Sequence, residues 1–253
     1  GTLDPAVTGV LPVASGRATK IVQGLLTAGK EYVGIMHLHK DVEEDKLKET
    51  IQKHFLGKIQ QLPPIKSSVK RQLRTRSIYY FEILEIDGKD VLFKVGTEAG
   101  TYIRKLIHDL GQKLNSGAHM AELRRTKVAS FDESTLFTLH ELTDAYYFWE
   151  KERNEKFIRK AIQPIENGVN HLPKIWVFDT TVESLCHGVD LKVPGISKLN
   201  DKIESGGIVA IMTLKEELVA LGTAKMGSNE MLGEKGIAVQ TEKVFMQPGT
   251  YKQ

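Results

Sequence analysis

Gly1-Thr2-Leu3-Asp4-Pro5-Ala6-Val7-Thr8-Gly9 opens the chain. It sets one carboxylate, Asp4, in a loop of Gly, Thr and Pro. Pro5 fixes its own φ and disfavours helical geometry at Asp4, while the glycines permit positive φ. The apolar run Val10-Leu11-Pro12-Val13-Ala14 follows at once. A carboxylate held by a stiff turn beside a buried segment suits a nucleophile or a base. An Asp in such a place also caps turns, and this stretch alone leaves both roles open.

The rest of the composition narrows the class. A chain of 253 residues holds one large domain or two ordinary ones, with ample core. A net charge of +3 is mildly basic, so where the charges sit matters more than their total. Cys186 is the single cysteine, which rules out an intrachain disulfide and points to a reducing compartment. No apolar run reaches the ~18 residues of a membrane span, so no membrane partner is expected. With a start that lacks Met, inside such a motif, further sequence upstream is expected.

Periodicity organises the first half. Ala18, Ile21, Val22 and Leu25 share one face of a short helix over residues 17–26, ended by Gly29. Residues 30–39 alternate as a strand, with Tyr32, Gly34, Met36 and Leu38 on one side. Residues 41–55 return to helix: acids lead it, and Leu47, Ile51 and Phe55 point inward. His37 and His39 lie two apart on one strand face; a metal pair would need a third ligand, and none is near in sequence.

Residues 57–76 change character. Leu62-Pro63-Pro64-Ile65 fits neither a regular helix nor a central strand. Lys66, Lys70, Arg71, Arg74 and Arg76 follow, with Ser67, Ser68 and Thr75 between them and no acid. An extended, basic, hydroxyl-rich loop suits phosphate oxygens and hence a nucleic acid; the plainer alternative is a solvated charged loop. Residues 78–86 and 91–98 read as strands joined by Asp87-Gly88-Lys89-Asp90, a hairpin signal. Residues 101–116 form an amphipathic helix with Ile103, Leu106, Ile107, Leu110 and Leu114 on one stripe and Gly117 as its stop. Arg104 falls in the first turn, where a cation opposes the helix dipole and calls for an anion. That anion is either a surface Glu or Asp4. Gly117-Ala118-His119-Met120-Ala121-Glu122-Leu123-Arg124-Arg125-Thr126 comes next.

These pieces together resemble the TruB superfamily of pseudouridine synthases. Within it the chain resembles the dyskerin-type subfamily, the catalytic subunit of box H/ACA ribonucleoproteins. The match rests on Gly1-Thr2-Leu3-Asp4-Pro5 with Thr8-Gly9, Gly29-Lys30-Glu31-Tyr32-Val33, Pro63-Pro64 with Ser68-Val69-Lys70-Arg71, Gly100-Thr101-Tyr102-Ile103-Arg104, and Gly117-Ala118-His119-Met120 with Glu122-Leu123-Arg124-Arg125. The resemblance implies that Asp4 is the catalytic aspartate and that Tyr32 stacks on the target base and takes its C5 proton. It implies that Arg104 pairs with the aspartate and that Leu123 lines the pocket. His119, Lys70, Arg71 and Arg74 are expected on the substrate side. Family members carry strands and a helix ahead of this motif, so the chain is expected to lack its natural N-terminal part.

Residues 128–168 read as a helical tail, with Leu139, Leu142, Ala145, Tyr146 and Trp149 as its stripe. Residues 167–173 read as a linker. Beyond it, strands over 174–178, 208–214, 217–225 and 236–245, with a helix over 180–187, suggest a small β-barrel. His187-Gly188-Val189-Asp190 with Val193-Pro194-Gly195-Ile196 resembles a PUA RNA-binding domain. The expected architecture is α+β: a mixed α/β catalytic domain around an antiparallel sheet (1–168), then a PUA barrel (172–250).

The resemblance implies isomerisation of uridine to pseudouridine in rRNA or tRNA, directed by a box H/ACA guide RNA and small accessory proteins. The reaction neither oxidises nor consumes anything, so no metal or organic cofactor is expected. A stand-alone tRNA uridine-55 synthase and a non-catalytic RNA scaffold are the alternatives. The lack of a Lys-rich tail leans archaeal, hence cytoplasmic; a eukaryotic relative would be nucleolar.

Overall fold

The structure is a computed structural model, and it describes residues 2–64 and 70–251. The chain divides into two compact units. Residues 1–12 and 26–136 make the first, and residues 13–25 and 137–253 make the second.

The first unit is built on a seven-stranded sheet. Its strands are β1 (Val7–Gly9), β2 (Lys30–Leu38), β3 (Gly57–Gln61), β4 (Arg74–Asp87), β5 (Asp90–Thr97), β6 (Ala118–Val128) and the short β7 (Phe131–Asp132). The order is β1-β6-β2-β5-β4-β3, with β7 also on β6. Only β1 runs parallel to its neighbour; the other pairs are antiparallel. Two helices, α1 (Glu44–His54) and α2 (Ile103–Leu114), share one core with the sheet. From α1 come Leu47 and Ile51, and from α2 Ile103, Leu106, Ile107, Leu110 and Leu114, all buried. Each such side chain contributes ~1.5–3 kcal/mol by leaving water. They meet Met36, Leu38, Phe81, Val91, Phe93 and Val95 from the strands.

Most elements lie where periodicity predicts, within a few residues. Four features differ. Residues 17–26 are not one helix: a 3-10 turn, Gly16–Ile21, runs into a short α-helix, Val22–Leu26. The basic loop is shorter than the sequence suggests, because β3 pairs with the start of β4, Gln61 facing Arg74 and Gly57 facing Ile78. Arg74 and Arg76 therefore sit on a strand, and Lys66, Ser67, Ser68 and Val69 fall outside the described residues. Residues 118–128 form the long strand β6, and the tail over 128–168 begins only after it. Finally, the stripe on α3 (Leu139–Glu152) is not a core face: Ala145 is buried, but Leu139 is 81% exposed and Tyr146 48%.

The second unit holds the other sheet as a small, near-closed barrel. Its strands are β8 (Lys174–Val177), β9 (Leu191–Lys192), β10 (Ile196–Leu199), β11 (Ile208–Met212), β12 (Leu218–Ala224) and β13 (Ile237–Val244), in the order β10-β8-β11-β12-β13-β9. Helix α4 (Asp179–Cys186) packs Val182 and Leu185 into its core. Asp190, in the PUA-like motif, accepts from the Thr241 backbone N–H at 3.0 Å, and Thr241 Oγ1 donates to the Val189 carbonyl at 3.0 Å. Residues 13–25 belong here: the Lys20 ammonium donates to the Val244 carbonyl at 3.0 Å, and Ile21 lies against Gly168.

Gly9 marks the tightest approach in the first sheet. Its φ is +106°, and a Cβ there would lie 2.1 Å from the Arg125 carbonyl oxygen. Backbone cannot swing aside as a side chain does, so Gly9→Ala combines left-handed strain with a clash. We expect it to lower unfolding stability by more than ~2 kcal/mol, whereas Gly88→Ala, with positive φ but open space, should lose only ~1 kcal/mol. Urea titration of both variants checks this; equal losses would contradict it.

Candidate active site

Asp4 sits in the turn that leads into β1. The Val7 N–H donates to the Asp4 carbonyl at 2.9 Å, closing that turn. β1 then lies parallel to β6, with Val7 beside Leu123, Thr8 beside Arg124 and Gly9 beside Arg125. The carboxylate is thus tied to a central strand within a few residues, and its own side chain is left 64% exposed.

Arg104 comes from the first turn of α2, a turn with no acid of its own. The dipole argument leaves its partner open, and the geometry names it: Arg104 Nη2 lies 3.5 Å from Asp4 Oδ2. Both side chains are more than half exposed, so the pair is worth only ~0–1 kcal/mol to stability. Its effect is to orient the carboxylate. What holds the helix start is Gln61, which is 2% exposed. Its amide oxygen accepts from the Tyr102 N–H at 3.0 Å, and its Nε2 donates to the Tyr102 carbonyl at 3.2 Å. This double clasp stands in for a side-chain cap, which α2 lacks. Gln61 carries no signal in the sequence, because an amide gives no hint that it will be buried.

Tyr32 projects from β2 directly opposite Arg125 on β6. Burial pushes its phenol above the usual range; the Arg125 guanidinium, by charge and hydrogen bond, pulls it back, and the Asp4 carboxylate pushes it up again. The tyrosine, the arginine and the aspartate therefore act on one another. Leu123, 9% exposed, belongs to the core and fronts Gly34 of β2. Beside Tyr32, Glu31 accepts from the hydroxyls of Tyr80 and Thr126 and lies 3.5 Å from Lys94 Nζ. Burial raises the Glu31 carboxyl, but these donors outweigh it and hold it below the ordinary value. Burial and then Glu31 keep the Tyr80 phenol well above its own.

His119 is placed elsewhere. It pairs across the strands with His37, and its Nδ1 lies 2.9 Å from His39 Nε2. His37 Nδ1 in turn lies 2.7 Å from Asp90. A third histidine thus joins the pair seen in the sequence, yet no group of three or more His, Cys, Asp or Glu among the described residues is arranged to hold a metal ion. Lys70 and Arg71 are exposed beyond the tip of β4, and Arg74 begins that strand. Arg76 is not free for phosphate: Glu98 lies 3.7 Å from it. Among the described residues, no helix is long and apolar enough to cross a membrane.

Residues 1–103 match the TruB family pseudouridylate synthase (N terminal domain), 104–170 the tRNA pseudouridylate synthase B C-terminal domain, and 173–245 the PUA domain. The chain is 62% identical over 248 residues to a probable tRNA pseudouridine synthase B of Pyrococcus abyssi, covering 97% of this chain and 74% of the relative. It is 56% identical over 252 residues to that of Methanopyrus kandleri, covering 99% and 74%. Among solved structures it is similar to a chain of a Cbf5-Nop10-Gar1 complex, at 60% identity and a TM-score of 0.97, covering 100% of this chain and 77% of that one. It is also similar to a chain of an H/ACA RNP bound to a substrate RNA containing 2'-deoxyuridine, at 57% identity and a TM-score of 0.91, with the same coverage. With these matches running from the sheet of the first unit through the PUA barrel, the chain belongs to the TruB family of pseudouridylate synthases.

Proposed function

We propose that this RNA pseudouridine synthase uses Asp4 as nucleophile, Arg104 to orient it and Tyr32 as the acceptor of the C5 proton, on a uridine chosen by a box H/ACA guide RNA. The observation that carries the reading is the Asp4–Arg104 pair, with Tyr32 close enough to feel the carboxylate. In the reaction the bond from the sugar C1' to N1 breaks and one from C1' to C5 forms. C5 gives up its proton and N1 gains one, so atoms and electrons balance with no oxidant. The target base must leave the helical stack to meet Asp4. Leu123 gives the base an apolar contact, and His119, farther along the same strand, is assigned to the RNA.

The division of labour we assign is catalysis in residues 1–168 and RNA binding in the PUA domain within 172–250. Partners like those in the related solved complexes, which hold Nop10 and Gar1 or an H/ACA RNP with substrate RNA, complete the assembly. We assign it to the cytoplasm, a reading supported by its likeness to proteins of Pyrococcus abyssi and Methanopyrus kandleri. A second reading has one observation in its favour: the curated relatives carry the name of a probable tRNA pseudouridine synthase B. A tRNA transcript supplied without guide RNA separates the two readings, since only a stand-alone enzyme should modify it at the guided rate.

Asp4→Asn removes the nucleophile and keeps the shape. It should abolish pseudouridine formation while RNA affinity stays within about threefold. Parental turnover in this variant would overturn the assignment.

Arg104→Lys keeps the charge and loses the planar fork. We expect kcat to fall on the order of 100-fold, with the urea midpoint nearly unchanged because the pair is exposed. A matching loss of stability would mean that Arg104 serves the fold.

Lys70, Arg71 and Arg74 are the cations of the basic stretch for which the described residues show no acid partner. Contacts to phosphates position RNA without reading bases. Replacing all three by Ala should weaken substrate binding alike for every target and flatten the salt dependence by ~0.7–0.9 log unit per lost contact. A changed choice of uridine at unchanged salt slope would show instead that these residues read sequence.

A further inference from the structure

Arginine is the side chain least suited to an interior, yet Arg125 is 3% exposed. A local irregularity puts it there. Between Glu31 and Tyr32 the register of β2 against β6 slips: Glu31 faces Lys127, but Tyr32 faces Arg125. Thr126 is therefore the extra residue of a bulge, a device that re-aims the neighbouring side chain. The bulged Thr126 is itself pinned, donating to Glu31 at 2.8 Å.

Arg125 then fastens two parts of the site. Its carbonyl accepts from the Val10 N–H at 2.8 Å, its Nε donates to the Val10 carbonyl at 2.8 Å, and Gly9 packs against its backbone. The strand that carries the Asp4 turn is thus gripped by one residue through main chain and side chain together. The same guanidinium hydrogen-bonds Tyr32. Two other charges bear on this spot. Asp4, from the turn before β1, acts on Tyr32, and the Lys30 ammonium of β2, held by the Leu26 and Ala28 carbonyls, is lowered by burial and then by Arg125 itself. An apolar side chain of similar length would fill this space without the cost of burying a guanidinium. It would, however, leave the Val10 carbonyl and Tyr32 without their donor, so the guanidinium is both a clasp for the backbone and a charge beside Tyr32.

We propose that Arg125 is a positioning residue of the isomerisation: it fixes the Asp4 turn relative to Tyr32 and supplies the positive charge that favours the Tyr32 phenolate, the form that takes the C5 proton and becomes the phenol. The inference rests on the reading of Tyr32 as that acceptor.

The test places 3-fluorotyrosine at position 32 of the full protein and follows its fluorine resonance as pH rises, beside turnover of guided RNA. Arg125→Met removes the charge, so the ionisation midpoint should rise by at least about one pH unit. Arg125→Lys keeps a charge but cannot hold Val10 and Tyr32 at once. Its midpoint should stay within about half a unit of the parent while kcat falls ~10–100-fold and KM changes less than about threefold. An unmoved midpoint in Arg125→Met, or parental turnover in Arg125→Lys, would overturn the proposal. If Arg125→Met fails to fold, the turnover of Arg125→Lys decides alone. Failure of the underlying reading looks different: the Tyr32→Phe protein would turn over like the parent, whatever the fluorine resonance does.

Discussion

One strand, β6, is paired on both sides at once, and the site depends on that. On one side it holds β1 in parallel and so the Asp4 turn; on the other it holds β2 and so Tyr32. Neither neighbour could present its side chain alone. β1 is three residues long and has no hairpin partner, so its position is set by the ladder to β6 and by the grip of Arg125 on Val10. Arg104 enters from α2, whose start is clasped by Gln61 at the end of β3. Asp4, Arg104 and Tyr32 thus come together from three elements, with the Asp4 and Arg104 side chains more than half exposed and Tyr32 largely buried. Exposed charge at the front and buried anchorage behind are what a large, polar substrate such as RNA requires.

The electrostatics follow the same division. At the surface, Asp4 and Arg104 orient one another at little gain in stability. In the interior, Glu31 gathers Tyr80, Thr126 and Lys94, and Arg125 gathers Val10 and Tyr32. These two satisfied networks flank the same strand pair, and the bulge at Thr126 separates them. Removing one member of either would leave a buried polar group without its partner, a larger loss than the bond itself.

Much of this was legible in the sequence, and what was not has physical causes. Strand β2, the Asp87–Asp90 turn and helix α2 follow simple periods and come out within a few residues. A cation set against a helix dipole calls for an anion but leaves a surface Glu open beside Asp4, and it is the family resemblance that singles out Asp4. Strand β6 was opaque because two bulges break its period of two: Ala118 and Leu123, five apart, are both buried, and a buried arginine occupies a core position. β3 was hidden because Gly57-Lys58-Ile59-Gln60-Gln61 is polar, and its inward Gln61 serves the backbone of another element. The stripe on α3 misled in the other direction: its spacing is that of a core helix, but most of it faces outward. Periodicity reports that a face is apolar and says nothing of what covers it.

We propose that this sheet delivers catalysis to a uridine selected by another RNA. The direct measurement supplies the full protein and its accessory proteins with one transcript containing two candidate uridines and, in separate reactions, a guide complementary to the surroundings of each. Pseudouridine is then mapped by sequencing after chemical marking. Modification should move from one uridine to the other with the guide, and neither should be modified without one. Modification of the same uridine under both guides, or undiminished modification with no guide, would contradict it.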